Sequence, residues 1–370
     1  MVEIGGIHTN DQGSVHDYFK FYSKLQNQAN MLQDLVRTQI YNEAIMRNRK
    51  DFEGKVVMDL GCGSGILSLF AAQAGAKKVY AVEASNMAAQ ARILIKANNF
   101  EHIIEVVNKK IEDITEEDVG EKVDTIISEP LGTFLLNERM LESYVIARNK
   151  FLKPEGLMMP TSAHFHIMPF QDDVLFKEQE QKVAFFDSKN FYNLDFSCLK
   201  EQALKEKFAQ PVVEAYPLEQ ALATANDSIV FDFQTCTLKD LQEIDFHFNH
   251  QFKRASIVHG YALHFDAHFK GSENLVILRT GPEAKTTHWY QTRLLLREPI
   301  AANKGQVVKG LLKMRANRQQ TFDTQLQVAI PEIGIKTEAT YDMKDPEYRS
   351  AYCNYTDNFQ DPIVPNWSGK

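Results

Sequence analysis

The spacing of apolar residues changes near residue 160 and divides the chain into two kinds of structure. Across residues 55–152, short apolar runs alternate with segments of helical period, which predicts strands interleaved with helices. This alternation is typical of a parallel sheet covered on both faces. Beyond Pro160 the period becomes two, as in residues 164–170, 245–252 and 261–269. Period-two segments at short spacing predict an antiparallel barrel or sandwich.

The patterns predict five parts. We expect a flexible N-terminal tail over residues 1–13, helices over 14–50, an α/β ligand-binding domain over 51–160, an antiparallel domain over 161–341 and a C-terminal tail over 342–370. A helical, aromatic-rich segment interrupts the antiparallel domain at residues 172–209. Its aromatic residues are Phe185, Phe186, Phe191, Tyr192 and Phe196. Such a cluster forms either an under-layer of the core or a docking surface.

The amino-acid composition limits the kinds of molecule that the protein is expected to bind. The 370 residues include 41 Lys and Arg against 49 Asp and Glu, a net charge of −8. An acidic chain disfavours direct nucleic-acid binding and suits basic peptides. The four cysteines form no Cys-x-x-Cys pair, which favours free thiols in a reducing compartment. Because no apolar run reaches the roughly 20 residues of a membrane span and no signal peptide is evident, we expect a nuclear or cytoplasmic protein without a membrane partner.

A glycine-rich turn follows the first predicted strand. Gly61, Gly63 and Gly65 would let the backbone approach a ligand closely, and Asp59 precedes them. Glu83 ends the next strand, where it could accept hydrogen bonds from ribose hydroxyls. The spacing differs from Gly-x-Gly-x-x-Gly, which argues against NAD and for another adenosine-type ligand. A plain structural turn remains the alternative.

Two glutamates bracket a loop after the fourth predicted strand. Glu129 ends the strand, where a carboxylate without a partner is costly, and Pro130 holds it extended. Glu138 begins the next helix, where the helix dipole favours an anion, so a purely structural role is an alternative for it. Two carboxylates converging on a ligand pocket would bind a guanidinium in two forks.

Two smaller patterns leave alternatives open. Met31, Asp34 and Arg37 recur on the side of a helix opposite its apolar stripe, and Met31 could simply fill a gap under a neighbouring element. His264, Asp266 and His268 alternate on one strand face and could imitate a metal site. We favour a solvated barrel face for that triplet and predict no metal, because no fourth ligand is near in sequence.

An ordered set of motifs covers about residues 14–335. It consists of the sequences DYFKFY, MLQDLVRT, VMDLGCGSG, AVEA, ISEPLG, NERM and THW. This set resembles the type I protein arginine methyltransferases, most closely their coactivator-associated branch. It implies a doubly wound, Rossmann-like methyltransferase domain that binds S-adenosylmethionine, followed by an antiparallel β-barrel. Residues 172–209 would be the helical arm that closes a homodimer.

The resemblance assigns roles residue by residue. It implies cofactor contacts, including an Arg37 pair with the cofactor carboxylate and a Glu83 contact with the ribose. The cofactor-binding residues would be Tyr18, Phe19, Gln28, Met31, Arg37, Asp59, Gly61, Gly63, Gly65, Glu83, Glu112 and Ser143. The substrate arginine would meet Glu129, Glu138, Tyr22, Met140 and Trp289, and Met31 would favour asymmetric over symmetric dimethylation.

The implied chemistry is methyl transfer to arginine in proteins such as histones and RNA-binding or transcription-related proteins. Glu129 and Glu138 would aim one guanidinium nitrogen at the methyl group. His288, polarised by Asp34, would relay the released proton or would only form a wall of the pocket. The alternatives are a cofactor-binding scaffold that acts through its arm and a methyltransferase for small molecules.

One departure from the relatives concerns peptide preference. Thr133 stands where the coactivator-associated branch often has Tyr. Few residues precede the DYFKFY motif, so we do not expect the extra N-terminal domain of animal relatives. We also do not expect their long C-terminal tail. For these reasons the resemblance does not lead us to predict recruitment to transcription complexes. We expect action in the nucleus and cytoplasm.

Overall fold

The computed structural model describes residues 19–20, 22–223 and 227–349. The predicted N-terminal tail, Tyr18 and residues 350–370 of the predicted C-terminal tail lie outside these ranges. The described chain begins with helical turns around Phe19 and Tyr22, followed by helices α1 (Leu25–Leu32) and α2 (Leu35–Met46). Asp34 caps α2, because its side chain accepts a hydrogen bond from the backbone N–H of Arg37.

Five parallel strands form the sheet of the first half. They are β1 (Val56–Leu60), β2 (Lys78–Val82), β3 (Ile104–Val107), β4 (Val123–Ser128) and β5 (Leu152–Met159), in the order β3-β2-β1-β4-β5. Every residue of β1 is buried, as its apolar run predicts. The order reverses between β1 and β4, the position at which open α/β sheets bind ligands beyond the carboxyl ends of their strands.

Helices cover this sheet. They are α3 (Ile66–Gln73), α4 (Met87–Ala97), α5 (Glu116–Val119) and α6 (Met140–Phe151). The nearly all-apolar α3 lies in the core, with Leu67, Leu69 and Ala71 buried. This half has the predicted doubly wound, Rossmann-like fold.

The second half consists of two largely antiparallel sheets. One contains β6 (Ser162–Phe170), β7 (Val212–Glu214), β8 (Ser228–Asp232), β10 (Ser256–Lys270), β11 (Leu275–Arg279), β12 (Gln291–Ala302) and β16 (Glu347–Tyr348). The other contains β9 (Glu243–Gln251), β13 (Val307–Ala316), β14 (Phe322–Ile330) and β15 (Ile335–Asp342), and the short helix α9 (Leu238–Gln242) precedes β9. Phe165 and Phe246 meet between the sheets at 5.8 Å, in the core of the predicted β-barrel.

The aromatic-rich segment is an insertion with its own helices, α7 (Asp173–Lys182) and α8 (Lys200–Ala209). We call residues 172–209 the arm. Phe185, Phe191 and Tyr192 are 48%, 41% and 85% exposed, so the tip of the arm is not an under-layer of the core. The base of the arm is anchored by Arg293, whose guanidinium binds Asp172 and Glu214 at 2.5 Å each.

The His264, Asp266 and His268 pattern belongs to a larger histidine group. Across β6 and β10, His164 stacks on His268 at 4.2 Å and His166 on His264 at 5.0 Å. Within the described residues, no three His, Cys, Asp or Glu side chains stand in a metal-binding arrangement.

Candidate active site

A cavity of about 510 Å³ opens at the carboxyl edge of the parallel sheet, where β1 and β4 end. Residues of the N-terminal helices, the parallel sheet and the barrel all contribute to its wall. The wall includes most of the residues predicted from sequence: Phe19, Tyr22, Gln28, Met31, Arg37, Gly61, Gly63, Glu83, Glu112, Glu129, Glu138, Met140, Ser143, His288 and Trp289. Residues far apart in sequence thus meet in one pocket.

The glycine turn forms one wall of the cavity. Gly63 has a φ of +53°, and a Cβ atom on it would lie 2.6 Å from Gln28 Oε1. Its N–H donates to Glu83 Oε2 at 2.9 Å, while Ser85 N–H donates to Glu83 Oε1 at 2.7 Å. Glu83 is therefore held by two backbone donors at the end of β2. Its remaining acceptor capacity can serve ligand hydroxyls, in line with the predicted ribose contact.

Two predicted ligand contacts lie off the wall of the cavity. Asp59 is fully buried beneath the turn, where its Oδ2 accepts a 2.6 Å hydrogen bond from Ser68. Burial raises the pKa of Asp59 to about 7. Gly65 faces Ala91 and Ile95 of α4, since a Cβ atom there would lie 3.6–3.7 Å from them. Asp59 in β1 and Gly65 at the start of α3 therefore support the turn from its core side and do not face the cavity.

Glu129 is held at the end of β4 by a buried arginine. Arg37 donates to Glu129 Oε2 through Nη2 at 2.9 Å and through Nε at 3.2 Å. Leu131 N–H donates to the other oxygen at 3.1 Å. Burial alone would lower the pKa of Arg37, but the charge of Glu129 raises it above its usual value. Arg37 is thus paired with a glutamate, and its predicted pair with the cofactor carboxylate stays a prediction.

Glu138 is held quite differently. It lies two residues before α6 begins and has a φ of +68°, so it is not in a regular first helical turn as the sequence predicted. The hydroxyl of Tyr22 donates to its two oxygens at 2.9 and 3.1 Å. Burial raises the pKa of Glu138 to about 7, the Tyr22 hydrogen bond lowers it and the charge of Glu129 raises it. Glu138 therefore gains or loses its charge near neutral pH.

Asp34 ties the N-terminal helices to the barrel. Its Oδ2 accepts from the backbone N–H of His288 at 2.9 Å and lies 2.8 Å from His288 Nδ1. Although burial would raise the pKa of Asp34, the hydrogen bond of His288 brings it below its usual value. The His288 ring lies 4.0 Å from Trp289, whose Nε1–H donates to Leu131 O at 2.8 Å. The predicted Asp34–His288 pair is present at the cavity.

The remaining wall residues are positioned by local contacts. Ser143 donates to Glu112 at 2.9 Å, and Lys150 donates to the backbone carbonyls of Ile111 and Glu112. Met140 lies against the turn, since a Cβ atom on Gly61 would overlap with its Cε. Met31 faces the cavity, so it does not merely fill a gap in the core.

The wall residues that sequence reasoning missed include Gln320 and Tyr348. Gln320 lies between β13 and β14, and Tyr348 lies in the two-residue strand β16. Neither belongs to a periodic segment or to one of the quoted motifs, so no local signal pointed to them.

Comparisons with known proteins identify the relatives of this chain. Residues 161–330 match the family described as "Arginine methyltransferase oligomerization subdomain". Residues 38–162 match the family described as "Ribosomal protein L11 methyltransferase (PrmA)". The chain is 44% identical to the histone-arginine methyltransferase CARMER of Drosophila persimilis over 339 residues, which cover 92% of this chain and 63% of that protein. This chain thus spans less than two thirds of that curated relative.

Two solved structures share the fold over nearly their whole length. The Trypanosoma brucei PRMT1 enzyme–prozyme heterotetrameric complex with AdoHcy aligns with a TM-score of 0.77 at 33% identity, covering 87% of this chain and 99% of that one. Protein arginine methyltransferase 10 of Arabidopsis thaliana aligns with a TM-score of 0.78 at 33% identity, covering 88% of this chain and 99% of that one. The predicted fold is confirmed by this agreement.

Proposed function

The chain belongs to the protein arginine methyltransferase family, as predicted, and we propose that it transfers methyl groups from S-adenosylmethionine to arginine side chains of proteins. The observation that carries the proposal is the pair Glu129 and Glu138, from different elements, in one cavity with the glycine turn. A neutral nucleophile has no use for two carboxylates, whereas a guanidinium presents five donors in a planar fork. Small-molecule methylation and a scaffold role are therefore disfavoured.

The turn-side wall of the cavity would hold the cofactor. Glu83 would accept the ribose hydroxyls, while Gln28, Glu112 and Ser143 would line its surroundings. Gln28 is already oriented, since its Oε1 accepts from Ser64 N–H at 3.2 Å. Arg37, which donates to Glu129 in this structure, would bind the carboxylate of the cofactor. S-adenosylmethionine supplies an electrophilic methyl group on a sulfonium.

The two glutamates would make a nucleophile of a cation. Arginine stays protonated at physiological pH and its lone pairs are delocalised. Hydrogen bonds to Glu129 and Glu138 would hold the positive charge on two nitrogen atoms and aim one terminal nitrogen along the S–CH₃ axis. That nitrogen would form the N–C bond as the S–C bond breaks and would then release a proton. Positioning and electrostatic stabilisation would provide most of the acceleration.

His288 is suited to stabilise or receive the released proton. Asp34 lies 2.8 Å from its Nδ1, so an imidazolium formed at this position would keep a carboxylate partner. The pair also joins α2 to the barrel, and His288 belongs to the cavity wall. A wall role without proton transfer would leave the pH dependence of the His288→Gln variant unchanged.

Methylation of an arginine peptide tests the proposed function. Purified protein with methyl-labelled S-adenosylmethionine should label a basic peptide that contains one arginine. It should not label the matched peptide in which lysine replaces that arginine. Label on lysine, or no label on either peptide, would reject the proposal. The histone-arginine methyltransferase relatives suggest histone tails as the first peptides and suggest action in the nucleus, whereas action in the cytoplasm stays a prediction.

The product would be asymmetric dimethylarginine, with ω-monomethylarginine as the intermediate. Met31 in the cavity wall supports this proposal, because the family resemblance assigns it a part in choosing the nitrogen that takes the second methyl group. Symmetric dimethylarginine as the sole dimethylated product would contradict it.

The arm would close a homodimer. The matched oligomerization subdomain supports self-association, and the exposed side chains at the arm tip supply apolar area for it. Tyr192, 85% exposed, is the test position. Light scattering should report a dimer for the unaltered chain and a shift toward monomer for Tyr192→Ala. A monomeric unaltered chain would overturn the arrangement.

Among the described helices, none is long and apolar enough to cross a membrane.

A further inference from the structure

The short strand β16 connects the arm to the wall of the cavity. It pairs in parallel with β7, which follows arm helix α8 in the chain. Glu347 N–H donates to Pro211 O at 2.8 Å, and Arg349 N–H donates to Val213 O at 3.1 Å. Between these two residues, Tyr348 belongs to the cavity wall and is 57% exposed. Tyr348 of the cavity wall is therefore adjacent in sequence to two residues whose side chains bind the arm.

On one side of Tyr348, Glu347 binds both arm helices. Its carboxylate pairs with Lys182 at the end of α7 and with Lys207 in the last turn of α8. The side chains of Glu347 and Lys207 are only 20% and 14% exposed. Partial burial reduces the screening that makes fully exposed ion pairs weak.

On the other side, Arg349 continues the ionic connection. Its guanidinium donates to Glu178 of α7 at 2.6 and 2.9 Å and to Glu214 Oε2 of β7 at 2.8 Å. Glu214 also binds the buried Arg293, which binds Asp172, the residue that caps α7. Charge pairs thus run without a break from β16 to the base of the arm.

The segment before β16 reaches the neighbourhood of Glu138. The carbonyl of Met343 accepts a hydrogen bond from Thr321 at 3.4 Å, and Thr321 also bonds Asn137, the residue before Glu138, at 3.0 Å. Burial raises the pKa of Glu138, and the positive charge of Lys344 opposes part of that rise. Residues 343–349 therefore run from the substrate side of the cavity to the arm.

We propose that Tyr348 is a specificity-determining residue that contacts the peptide flanking the target arginine, and that the ion pairs of Glu347 and Arg349 make its position depend on the arm. The proposal rests on the proposed function of the same cavity. An aromatic side chain offers a large, rigid contact area at little entropic cost. A small guanidine compound would engage only the two glutamates and would not sense Tyr348.

A double-variant comparison tests the link. The dissociation constant of a fluorescein-labelled, single-arginine basic peptide is measured with S-adenosylhomocysteine present. Glu347→Gln should weaken binding by about fivefold, the effect of losing a partly buried ion pair. Tyr348→Ala should weaken it by about tenfold, as expected for an aromatic contact residue. Adding Glu347→Gln to Tyr348→Ala should then have no further effect.

The matched control is Glu105→Gln. Glu105 pairs with Lys78 at 2.7 Å on strands β3 and β2, and the variant changes the net charge by the same amount. It should leave peptide binding unchanged, as all variants should leave binding of S-adenosylhomocysteine unchanged. Hydrogen exchange across residues 343–349 should rise in Glu347→Gln and not in Glu105→Gln.

The outcomes separate this proposal from the proposed function. Additive effects of Glu347→Gln and Tyr348→Ala, or unchanged exchange across residues 343–349, would reject the link even if the protein methylates arginine. Unaltered protein that binds the peptide but transfers no methyl group would reject the proposed function, and the variant comparison would still decide on the link. Unaltered protein that binds no arginine peptide would reject both.

Discussion

The two candidate glutamates differ in what holds their charge. Glu129 faces the buried guanidinium of Arg37 and a backbone N–H, whereas Glu138 faces the neutral hydroxyl of Tyr22 and has a left-handed backbone. A carboxylate without a cation partner is costly to bury, so the pKa of Glu138 rises to about 7. An incoming guanidinium would stabilise its charge, which favours substrate binding at this position.

Removing either charge should abolish most of the activity. Glu129→Gln and Glu138→Gln should each lower kcat/KM by roughly a hundredfold or more, since breaking a buried charge pair costs about 3–5 kcal/mol. Binding of S-adenosylhomocysteine should weaken less for Glu138→Gln than for Glu129→Gln, which also leaves Arg37 without its partner. Steady-state kinetics would measure kcat/KM, and inhibition by S-adenosylhomocysteine would measure its binding, with Glu105→Gln as the control. Near-full activity in either glutamate variant would refute the role assigned to that glutamate.

The raised pKa of Glu138 predicts a pH dependence. Only the ionised carboxylate can bind the guanidinium, so kcat/KM should rise with pH through about 7 and level off above it. The hydrogen bond from Tyr22 favours the ionised form, so Tyr22→Phe should move this rise to higher pH. A pH profile of kcat/KM for both proteins checks the shift. A rise at unchanged pH in Tyr22→Phe would contradict the account.

At the scale of elements, two short connections build the site. The β1–α3 turn brings backbone close to the ligand, and the start of α2 joins the barrel through Asp34. Both depend on residues whose local role is conformational. Each can therefore be tested with a substitution that changes little besides the backbone or a cap.

The turn should tolerate no side chain at Gly63. Gly63→Ala places a methyl group 2.6 Å from Gln28 Oε1 in a backbone of positive φ, so cofactor affinity should fall by about tenfold or more. Gly54→Ala is the matched control, because Gly54 has a φ of +69° with nothing within 4 Å of the added atom. Calorimetric titration with S-adenosylhomocysteine should separate the two. Equal affinities of Gly63→Ala and Gly54→Ala for S-adenosylhomocysteine would show that close backbone approach at Gly63 does not contribute to cofactor binding.

Asp34 should matter for stability as well as for His288. Asp34→Ala removes the cap of α2 and the acceptor for His288 N–H, so the free energy of unfolding should fall by about 2–4 kcal/mol. Asp34→Asn keeps an acceptor oxygen and should lose less. Urea unfolding of the three proteins gives the comparison. An Ala variant as stable as the Asn variant would argue against both contacts.

The sequence predicted the elements of the site better than their connections. Glycines after a buried strand and Glu83 after the next one are local signals, and the cavity contains them. Burial of Asp59, the Arg37–Glu129 pair and the left-handed Glu138 depend on packing between elements, which no periodicity reveals. Tyr348 reaches the cavity only because β16 pairs with a strand more than 130 residues earlier.

At the scale of the whole molecule, the fold class followed from the change of period near residue 160. Buried runs produced the parallel sheet, and alternating segments produced the barrel. The family resemblance predicted the arm, and the aromatic residues were consistent with a docking surface. The ionic connection of the arm to β16 was not predicted, because charged residues on a helix usually indicate only a solvated face. The glycine turn and the two glutamates meet around one cavity, as the proposed function requires, and residues 343–349 connect that cavity to the arm.

The most direct test of the central claim is tandem mass spectrometry of a basic peptide containing one arginine and one lysine after incubation with S-adenosylmethionine. Unaltered protein should place one and then two methyl groups on the same terminal nitrogen of the arginine. Glu129→Gln and Glu138→Gln should leave the peptide almost unmodified. Methyl groups on lysine, or full arginine methylation by either variant, would contradict the account.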